Sequence, residues 1–296
     1  MLMLQNYALG EWVRGSGKTT DLVHAVTGEK IGEAGSGGLD FKAMMHHART
    51  VGGPALRALT FHQRAAMLKA VAKYLTERKE AFYALSSATG ATRSDSWVDI
   101  DGGIGTFFAY ASRGRREFPN ETVHIEGPVE TLSKGGTFVG RHICVPLEGV
   151  ALHINAFNFP VWGMMEKLAP ALLAGMPCIV KPATATSFLT EAVFRSIVEA
   201  GVFPAGALQL ICGSAGDLLS HVTEQDTIAF TGSAATGQML KESRAVMANS
   251  VRFNMEADSL NCCILGPDAT PGTPEFDLFI KEVVREMTSK AGQKCT

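Results

Sequence analysis

The sequence predicts an α/β fold in which a Rossmann-type parallel sheet carries helices on both faces. From Glu148 onward, short apolar runs alternate with segments of helical length. The apolar runs are 150–154, 178–180, 208–212, 228–230 and 251–255, and the helical segments between them are 160–174, 187–200, 215–222 and 234–242. This alternation is typical of βαβ units, whose strands run parallel. Hydrophobic residues make up 46% of the chain and charged residues 19%, which indicates a globular protein with ample core.

The carboxyl ends of the predicted strands are polar or glycine-rich, at residues 155–158, 181–184, 213–216 and 231–237. Ligands of parallel α/β sheets bind at this edge, so the four ends predict one site. The turn Phe230-Thr231-Gly232-Ser233, followed by a helix, would expose main-chain amides to an anion such as a pyrophosphate. A tight strand-to-helix turn explains these residues equally well, and no G-x-G-x-x-G sequence follows the first strand.

The N-terminal part predicts short hairpins followed by two long helices. Glycines interrupt an alternating pattern between residues 7 and 33. Apolar residues spaced by three and four predict a helix from Thr60 to Thr89, with Gly90 as its C-cap. A second helix is predicted from about Ser94 to Ser112, and the glycines in it indicate close packing: Gly102, Gly103 and Gly105.

Two further motifs in this part predict no ligand. The string from Gly15 to Thr20 resembles a phosphate loop, but Trp12 occupies the place of its first glycine and no helical pattern follows. A hairpin turn is therefore the favoured interpretation. His46, His47 and His62 have no carboxylate or cysteine at ligand spacing, so no metal site is predicted.

A protruding hairpin is predicted in the middle of the chain. Charged and glycine-rich sequence separates short β-prone pieces between residues 113 and 147. We expect an extended hairpin there, outside the main sheet, which would contact a neighbouring subunit. The full-length protein is therefore expected to be a homo-oligomer.

The C-terminal segment predicts a helix followed by an unusual cysteine. The string Thr273-Pro274-Glu275 matches an N-cap, a first-turn proline and a first-turn acid. The apolar stripe that follows is predicted to be buried: Phe276, Phe279, Ile280, Val283, Val284 and Met287. Gly292 is predicted to end the helix, and Cys295 follows behind a Gly-Gln-x turn. A lone cysteine is more often buried and inert, but this one is placed like a nucleophile on a stiff corner.

Charge and composition argue against several classes of protein. The formal net charge is −2 and the pI about 6.5, with no basic stripe for nucleic acid and no polybasic run for a membrane surface. The longest apolar segment, 168–180, is too short to span a bilayer. The six cysteines show neither paired metal-ligand spacing nor a disulfide framework. We expect a cytoplasmic protein without a nucleic-acid or membrane partner.

Five motifs that occur in one order make the chain resemble the first half of an aldehyde dehydrogenase. They are Asn155-Ala156-Phe157-Asn158-Phe159-Pro160, Lys181-Pro182-Ala183, Phe230-Thr231-Gly232-Ser233, Glu256 and Gly292-Gln293-Lys294-Cys295. Within this family the chain is similar to the dehydrogenase domains of bifunctional phenylacetate-degradation proteins. The narrower resemblance rests on four stretches: Trp97 to Ile100, Lys181 to Thr186, Met255 to Cys263 and Val283 to Met287.

The resemblance implies a mechanism and assigns residues to it. Cys295 would attack an aldehyde carbonyl, and the thiohemiacetal would be oxidised to a thioester. The Asn158 amide and the main-chain N–H of Cys295 would stabilise the oxyanion, and Glu256 would activate the water that hydrolyses the thioester. Lys167 would lie near the active centre, with a solvated surface lysine as the alternative. The implied cofactor-binding positions are Ile154, Asn155, Ala156, Phe157, Lys181, Ala183, Thr184, Gly213, Gly216, Phe230, Thr231, Gly232, Ser233 and Thr236.

The resemblance also implies a nicotinamide cofactor, and one departure from the family pattern predicts NADP, with NAD as the alternative. Most NAD-using relatives carry an acidic residue three positions after the lysine that matches Lys181, where this chain has Thr184. Losing the acid removes the repulsion of a 2′-phosphate, with which Lys181 could pair. A second departure puts Ala257 and Asp258 where the family has glycines, and Asp258 would sit near the nicotinamide pocket.

A domain organisation follows from the same resemblance. Residues 1–126 and 148–257 would form the nucleotide-binding domain, 127–147 a bridging and oligomerisation hairpin, and 258–296 the start of a catalytic domain. We expect the chain to be a truncated piece, and these 296 residues to be inactive alone.

The implied substrate is a small aldehyde, a CoA-linked semialdehyde formed by ring opening of an aromatic acid. The vicinal Cys262-Cys263 favours phenylacetate catabolism, and the semialdehyde dehydrogenase of benzoyl-CoA oxidation is the alternative. An acylating dehydrogenase, which passes the acyl group to coenzyme A, is disfavoured by the base Glu256. The alternatives of another class are a cofactor-independent cysteine hydrolase, with His153 or His221 as base, and an inactive nucleotide-binding fragment.

Overall fold

A mixed sheet of seven strands forms the centre of the fold. The computed structural model describes residues 1–259 and 261–295; Leu260, which falls in the quoted stretch Met255 to Cys263, and the terminal Thr296 lie outside the described residues. In the described part the strands are β1 Leu2–Met3, β2 Asn6–Ala8, β3 Glu11–Val13, β4 Thr20–Val23, β5 Lys30–Ala34, β6 His124–Thr131, β7 Val139–Cys144, β8 Ala151–Ile154, β9 Cys178–Lys181, β10 Leu208–Leu210, β11 Thr227–Gly232 and β12 Arg252–Ala257. The α-helices are α1 Phe41–His47, α2 Gly53–Arg57, α3 Phe61–Thr76, α4 Lys79–Ser86, α5 Arg93–Arg116, α6 Trp162–Leu173, α7 Ser187–Glu199, α8 Ala234–Lys241, α9 Arg244–Ala248 and α10 Pro274–Thr288.

The strand order of the central sheet is that of a Rossmann fold. It reads β12-β11-β8-β9-β10-β2-β3, and the strands from β12 to β10 are parallel. The first parallel strand, β8, lies at the centre, β9 and β10 continue on one side, and β11 and β12 on the other. Right-handed crossovers in opposite directions then put α6 and α7 on one face and α8 and α9 on the other. The predicted fold class is confirmed.

The N-terminal hairpin β2–β3 extends the sheet beyond β10, to which β2 is antiparallel. Asn6 is fully buried; its Nδ2 donates to the carbonyl of Gly35 at 2.9 Å, and its Oδ1 accepts from the main-chain N–H of Cys212 at 2.7 Å. The main-chain N–H of Leu9 donates to Gln209 Oε1 at 3.1 Å. The sequence between β3 and β4, which includes most of the string that resembles a phosphate loop, connects strands of two different sheets. The predicted hairpin turn is therefore wrong, because β3 pairs with β2 and β4 pairs with β5.

The helix predicted from Thr60 to Thr89 is wrong in one respect, because two helices occupy this range. α3 and α4 are separated at Glu77 and Arg78, and a 3-10 turn covers Ser87–Thr89. Apolar spacing does not register the break, since both helices bury a face against α5 and α7. Gly90 has a φ of 84°, which confirms the predicted C-cap.

The second predicted helix, α5, is longer than expected and packs closely at two of its three glycines. It begins after Thr92, whose side chain and that of Asp95 form a capping box. A β-carbon at Gly102 would lie 2.5 Å from the ring of Trp162, and one at Gly103 would lie 3.1 Å from the main chain of Trp162. The prediction is wrong for Gly105, which lies on the exposed side of the helix and meets open space.

The helix predicted at 215–222 is wrong, because only a 3-10 turn at Leu218–His221 forms there. Gly216 has a φ of 47°, which a right-handed helix does not accept. A β-carbon at this position would lie 2.5 Å from the ring of Phe41, so the segment packs closely on α1 instead of winding into a helix.

Helix α10 begins as predicted, but its apolar stripe is not buried. The Thr273 side chain accepts from the N–H of Phe276 as an N-cap, and Pro274 opens the helix. No described residue of α10 is buried, and Met287 is 69% exposed. In the described part of the chain no layer covers this face, which is why the prediction of burial is wrong. The helix ends at Thr288, before the predicted Gly292.

The predicted hairpin is present as a separate two-stranded sheet, β6–β7, which begins at His124 instead of residue 127. Almost all of its residues are exposed, including apolar ones such as Val129 and Ile143. No helix in the described ranges is long and apolar enough to cross a membrane.

The glycines of α5 allow a direct test of its packing. Gly102→Ala should destabilise the fold by about 1–3 kcal/mol, because the added methyl group overlaps the Trp162 ring. Gly105→Ala is the matched control on the same helix and should stabilise by up to about 1 kcal/mol, since alanine lowers the entropy of the unfolded chain. Urea unfolding measures both values, and equal effects would contradict this account of the packing.

Candidate active site

The carboxyl ends of four parallel strands meet at one edge of the sheet. Ile154 at the end of β8 lies beside Lys181 of β9 and Phe230 of β11, and Thr231 lies beside Glu256 of β12. β8 and β11 flank the topological switch point, where α/β sheets bind ligands. The predicted positions that the structure brings to this edge are Ile154, Asn155, Ala156, Phe157, Asn158, Lys181, Ala183, Thr184, Thr231, Gly232, Ser233, Thr236 and Glu256.

The loop after β8 brings Asn158 to the segment that precedes Cys295. Thr186 Oγ1 fixes the loop by donating to the carbonyl of Phe157 at 3.1 Å. Asn158 Nδ2 donates to the main-chain oxygen of Gln293 at 3.0 Å. The candidate oxyanion donor therefore makes a direct hydrogen bond to the segment of the nucleophile. In this conformation the Asn158 amide is bound to the Gln293 oxygen.

Cys295 is an exposed thiol on a constrained turn. Asn261 Nδ2 donates to the carbonyl oxygen of Cys295 at 3.2 Å, which ties the chain after β12 to the turn. Upstream, Lys290 and Ala291 have φ values of 50° and 53°, in the left-handed region that costs non-glycine residues about 1–2 kcal/mol each. The thiol is thus accessible to a reactant, as a nucleophile has to be.

Glu256 and Lys167 line one cleft of about 810 Å³, bounded by α5, α6, β8, β11 and β12. Glu256 Oε2 accepts a hydrogen bond from Thr231 Oγ1 at 3.2 Å. The Lys167 side chain is only 9% exposed and forms an ion pair with Glu166 at 2.9 Å, so it is not a solvated surface lysine. The cleft is therefore lined both by the Glu256 carboxylate, which can accept a proton, and by the partly buried ion pair of Lys167 and Glu166.

Asp258, which we expected near the nicotinamide pocket, makes a hydrogen bond to the start of α8 that the sequence did not predict. Its Oδ1 accepts the main-chain N–H of Ala234, at the start of α8, at 3.1 Å, and its φ of 54° turns the chain there. Ser233 caps the same helix through the N–H of Thr236. A carboxylate thus already occupies the helix N-terminus that we predicted for a pyrophosphate, and an anion would have to displace it. An acid directly after β12, where the resembled family has glycine, was the available signal.

Asn155 is the position at this edge that fits a polar ligand best. The residue is 5% exposed, and neither its Nδ2 nor its Oδ1 has a hydrogen-bond partner among the described residues. An unpaired buried amide costs about 1–3 kcal/mol. A cofactor with polar groups, such as a nicotinamide dinucleotide, would supply the missing partners. Nearby, burial lowers the pKa of Lys181, whose Nζ donates to the carbonyl of Pro182 at 3.1 Å, and Thr184 opens a short 3-10 turn.

At three further predicted cofactor positions the structure shows close packing. The ring of Phe230 is buried in the core and packs under Gly232, so its side chain is not available to a ligand. Gly213 and Gly216 line a second cavity, of about 390 Å³, which the loop after β3 also lines. A β-carbon at Gly213 would lie 2.6 Å from the main-chain nitrogen of Ser36. Close packing on the N-terminal segment therefore explains these two glycines.

Of the two histidines in the hydrolase alternative, His153 is a poor base. His153, within β8, is 3% exposed, and its Nδ1 has no partner in the described structure. Burial, and secondarily the charge of Lys167, lowers the pKa of His153 to about 3, so the ring resists taking up a proton. His221 lies in the 3-10 turn after β10 and pairs with Asp217 at 3.0 Å.

Comparisons with known proteins agree with this geometry. The sequence model described as the aldehyde dehydrogenase family matches residues 12–296. The chain is 49% identical over 296 residues to a 3,4-dehydroadipyl-CoA semialdehyde dehydrogenase of Aromatoleum evansii, covering 100% of this chain and 57% of that protein. It is 26% identical over 291 residues to the NADP(+) succinate-semialdehyde dehydrogenase GabD of Escherichia coli (strain K12), covering 97% and 57%. The chain thus spans just over half the length of these relatives.

Solved structures share the fold. PnpE in complex with nicotinamide adenine dinucleotide has a TM-score of 0.84 and 26% sequence identity, covering 99% of this chain and 58% of that one. The betaine aldehyde dehydrogenase of Staphylococcus aureus in complex with NAD+ has a TM-score of 0.83 and 24% identity, covering 99% and 56%. With only 24% identity, the similarity to the betaine aldehyde dehydrogenase concerns the fold alone.

The buried His153 predicts a loss of stability in acid. Its pKa is depressed in the folded state, so its contribution is present above about pH 6.5 and is lost as the pH falls towards 3. Between pH 7 and pH 5 the wild type should lose about 2 kcal/mol more unfolding free energy than His153→Gln. Urea unfolding at both pH values measures this, with His46→Gln, at an exposed position, as the control for loss of an imidazole. Parallel losses in wild type and His153→Gln would contradict the assignment.

Proposed function

This chain belongs to the aldehyde dehydrogenase family, and from this premise we propose that the complete protein oxidises an aldehyde to its carboxylic acid with a nicotinamide cofactor. The observation that carries the proposal is the hydrogen bond from Asn158 to Gln293, which links the candidate oxyanion donor to the segment of Cys295. The cleft shared by Glu256 and Lys167 supports it further.

In the proposed reaction the Cys295 thiolate attacks the carbonyl carbon of the aldehyde. Asn158 exchanges the Gln293 oxygen for the thiohemiacetal oxygen, which the main-chain N–H of Cys295 also binds; one such donor contributes roughly a hundredfold or more in rate. The bound nicotinamide supplies the acceptor for the hydride that leaves the thiohemiacetal carbon. Glu256 then takes a proton from the water that attacks the thioester, which releases the acid and restores the thiolate.

We propose NADP as the preferred cofactor. Thr184 carries no charge at the position where an acid would repel a 2′-phosphate. Lys181 lies three residues earlier, at the end of β9, and offers an ammonium group to pair with that phosphate. The 26% identical GabD is an NADP(+) enzyme by name, which supports the same choice.

The proposed substrate is a CoA-linked semialdehyde. The 49% identical relative is named for such a compound, and the two pathways considered from the sequence share this substrate class. Phenylacetate catabolism stays our prediction, with benzoyl-CoA oxidation as the alternative.

The domain division stays a proposal as well. The central sheet supports one nucleotide-binding unit from 1–126 and 148–257, with 258–296 as the start of a catalytic domain. The exposed apolar residues of β6–β7 support a role for 127–147 in contacts with a second subunit. We also retain the cytoplasmic location as a prediction.

Replacing the proposed base should stop the reaction after one turnover. In the complete protein, Glu256→Gln should release about one equivalent of reduced cofactor per active site in a burst and then stall, because the thioester is no longer hydrolysed. Stopped-flow absorbance of the reduced nicotinamide measures the burst, and mass spectrometry detects the acyl group on Cys295. Glu242→Gln, at the exposed residue directly after α8, is the control and should keep wild-type turnover. Full steady-state activity of Glu256→Gln would refute its role.

An acid at position 184 should reverse the proposed cofactor preference. Thr184→Glu should lower kcat/KM for NADP at least about tenfold, because a carboxylate repels the 2′-phosphate, while kcat/KM for NAD stays the same or rises. Thr184→Gln, of equal size but neutral, should change the NADP value much less. Comparable kcat/KM values for the two cofactors in the wild type would sink the NADP proposal.

A further inference from the structure

A buried carboxylate on α5 supports the loop that carries Asn158. Asp99 is 1% exposed, and its Oδ1 accepts hydrogen bonds from the main-chain N–H groups of Val161 at 3.2 Å and Trp162 at 2.8 Å. These amides open α6 directly after the loop, so the negative charge also complements the positive end of that helix. Burial raises the pKa of Asp99 to about 6, against the opposing effects of the Trp162 hydrogen bond and the charge of Lys290, so the carboxyl is ionised at neutral pH.

Lys290, in the segment that leads to Cys295, contacts both the helix of Asp99 and the loop of Asn158. Its main-chain N–H donates to Oδ1 of Asp95, which lies one turn before Asp99 on α5, at 2.8 Å. Its ammonium group is 4.5 Å from the centre of the Phe159 ring, the residue next to the candidate oxyanion donor. Burial lowers the pKa of Lys290, and the charges of Asp99 and Asp95 oppose that change. The ammonium group is therefore attracted to the carboxylate that holds the loop.

We propose that Asp99 and Lys290 are positioning residues, which together hold the Asn158 loop and the Cys295 segment against α5 so that the oxyanion donor and the nucleophile face one carbonyl. This inference rests on the proposed aldehyde oxidation. Neither residue touches the substrate; Asp99 acts through the main chain at the start of α6, and Lys290 acts through the turn that leads to Cys295.

A purely structural helix cap would explain Asp99 but not Lys290. A cap requires only main-chain N–H groups, whereas a half-buried ammonium group beside an aromatic ring loses hydration and needs an opposite charge to offset that loss. The direct bond from Asn158 to Gln293 has to break when the amide binds the oxyanion. Asp95 and Asp99 on α5 keep the Asn158 loop and the Cys295 segment together when this bond breaks. A displacement of about 1 Å between the oxyanion donor and the nucleophile would lower the rate roughly a hundredfold.

The test compares Asp99→Asn, Lys290→Gln and the double variant in the complete protein. Asparagine keeps an acceptor oxygen for the Trp162 amide but removes the charge. We expect kcat to fall about 100-fold in each single variant, with KM for the cofactor changed by less than about threefold. The double variant should stay within about threefold of the slower single variant, because both substitutions remove the same attraction between opposite charges. Lys290→Arg keeps the charge and should recover at least about a tenth of the wild-type kcat.

Asp101→Asn is the matched control. Asp101 lies on the same helix as Asp99 but pairs with Lys79 at 2.6 Å and accepts from Tyr83, away from the Asn158 loop. This variant removes an equal charge and should keep kcat within about threefold of wild type, as changes at sites without shared partners do not couple. Equal losses in Asp99→Asn and Asp101→Asn, or single losses that multiply in the double variant, would overturn the proposal.

A second readout separates this inference from the proposed function. Iodoacetamide alkylates accessible thiols, and mass spectrometry reports the alkylation of Cys295, an exposed thiol, with free glutathione in the same mixture as the reference. If the wild type oxidises no aldehyde, the proposed function fails and alkylation alone decides. A change of at least about fivefold in the relative rate at Cys295 in Asp99→Asn supports the positioning role, and an unchanged rate overturns it. If Asp99→Asn does not fold, Lys290→Gln decides by the same readout.

Discussion

The burial of β8 on both faces is the constraint on which the other features of this structure depend. Every residue of the strand is buried, so its polar continuation begins only where the strand ends, at Asn155. That end lies at the switch point of the sheet. The polar carboxyl ends of the neighbouring strands β9 and β11 lie at the same edge. His153 is the polar residue inside the strand, and burial keeps it neutral. The sheet thus separates an interior that opposes changes of charge from an edge that tolerates them.

The edge receives its chemistry from segments that are distant in the sequence. Asn158 follows the first parallel strand, Glu256 lies in the last, and Cys295 comes after a further helix. Helix α5, which precedes the parallel strands in the chain, contacts both the start of α6 and the turn before Cys295. A helix outside the sheet, from the N-terminal region of the chain, therefore contacts two segments of the candidate site.

The parallel sheet and the location of its site could be predicted because buried strands and amphipathic helices leave strong apolar patterns. Features that depend on tertiary contacts could not. The break at Glu77 and Arg78 leaves the apolar spacing unchanged. The apolar stripe of α10 indicates that this face of the helix packs against another element. It does not indicate whether the described part of the chain contains that element. Asp258 and Asp99 bind main-chain N–H groups, which have no sequence signature, although an acid inside the buried stripe of α5 was a visible sign for Asp99.

The antiparallel strand β2 gives the fold a particular order of assembly during synthesis. Asn6 and Leu9 bond to Cys212 and Gln209, which are 206 and 200 positions later in the chain. Ribosomes add about 5–20 residues per second, so the N-terminal hairpin is made about 10–40 s before its partner strand exists. During that interval its edge is unpaired and can pair with other nascent chains. The first strand of the central sheet to be synthesised therefore pairs only after about 200 further residues have been added to the chain.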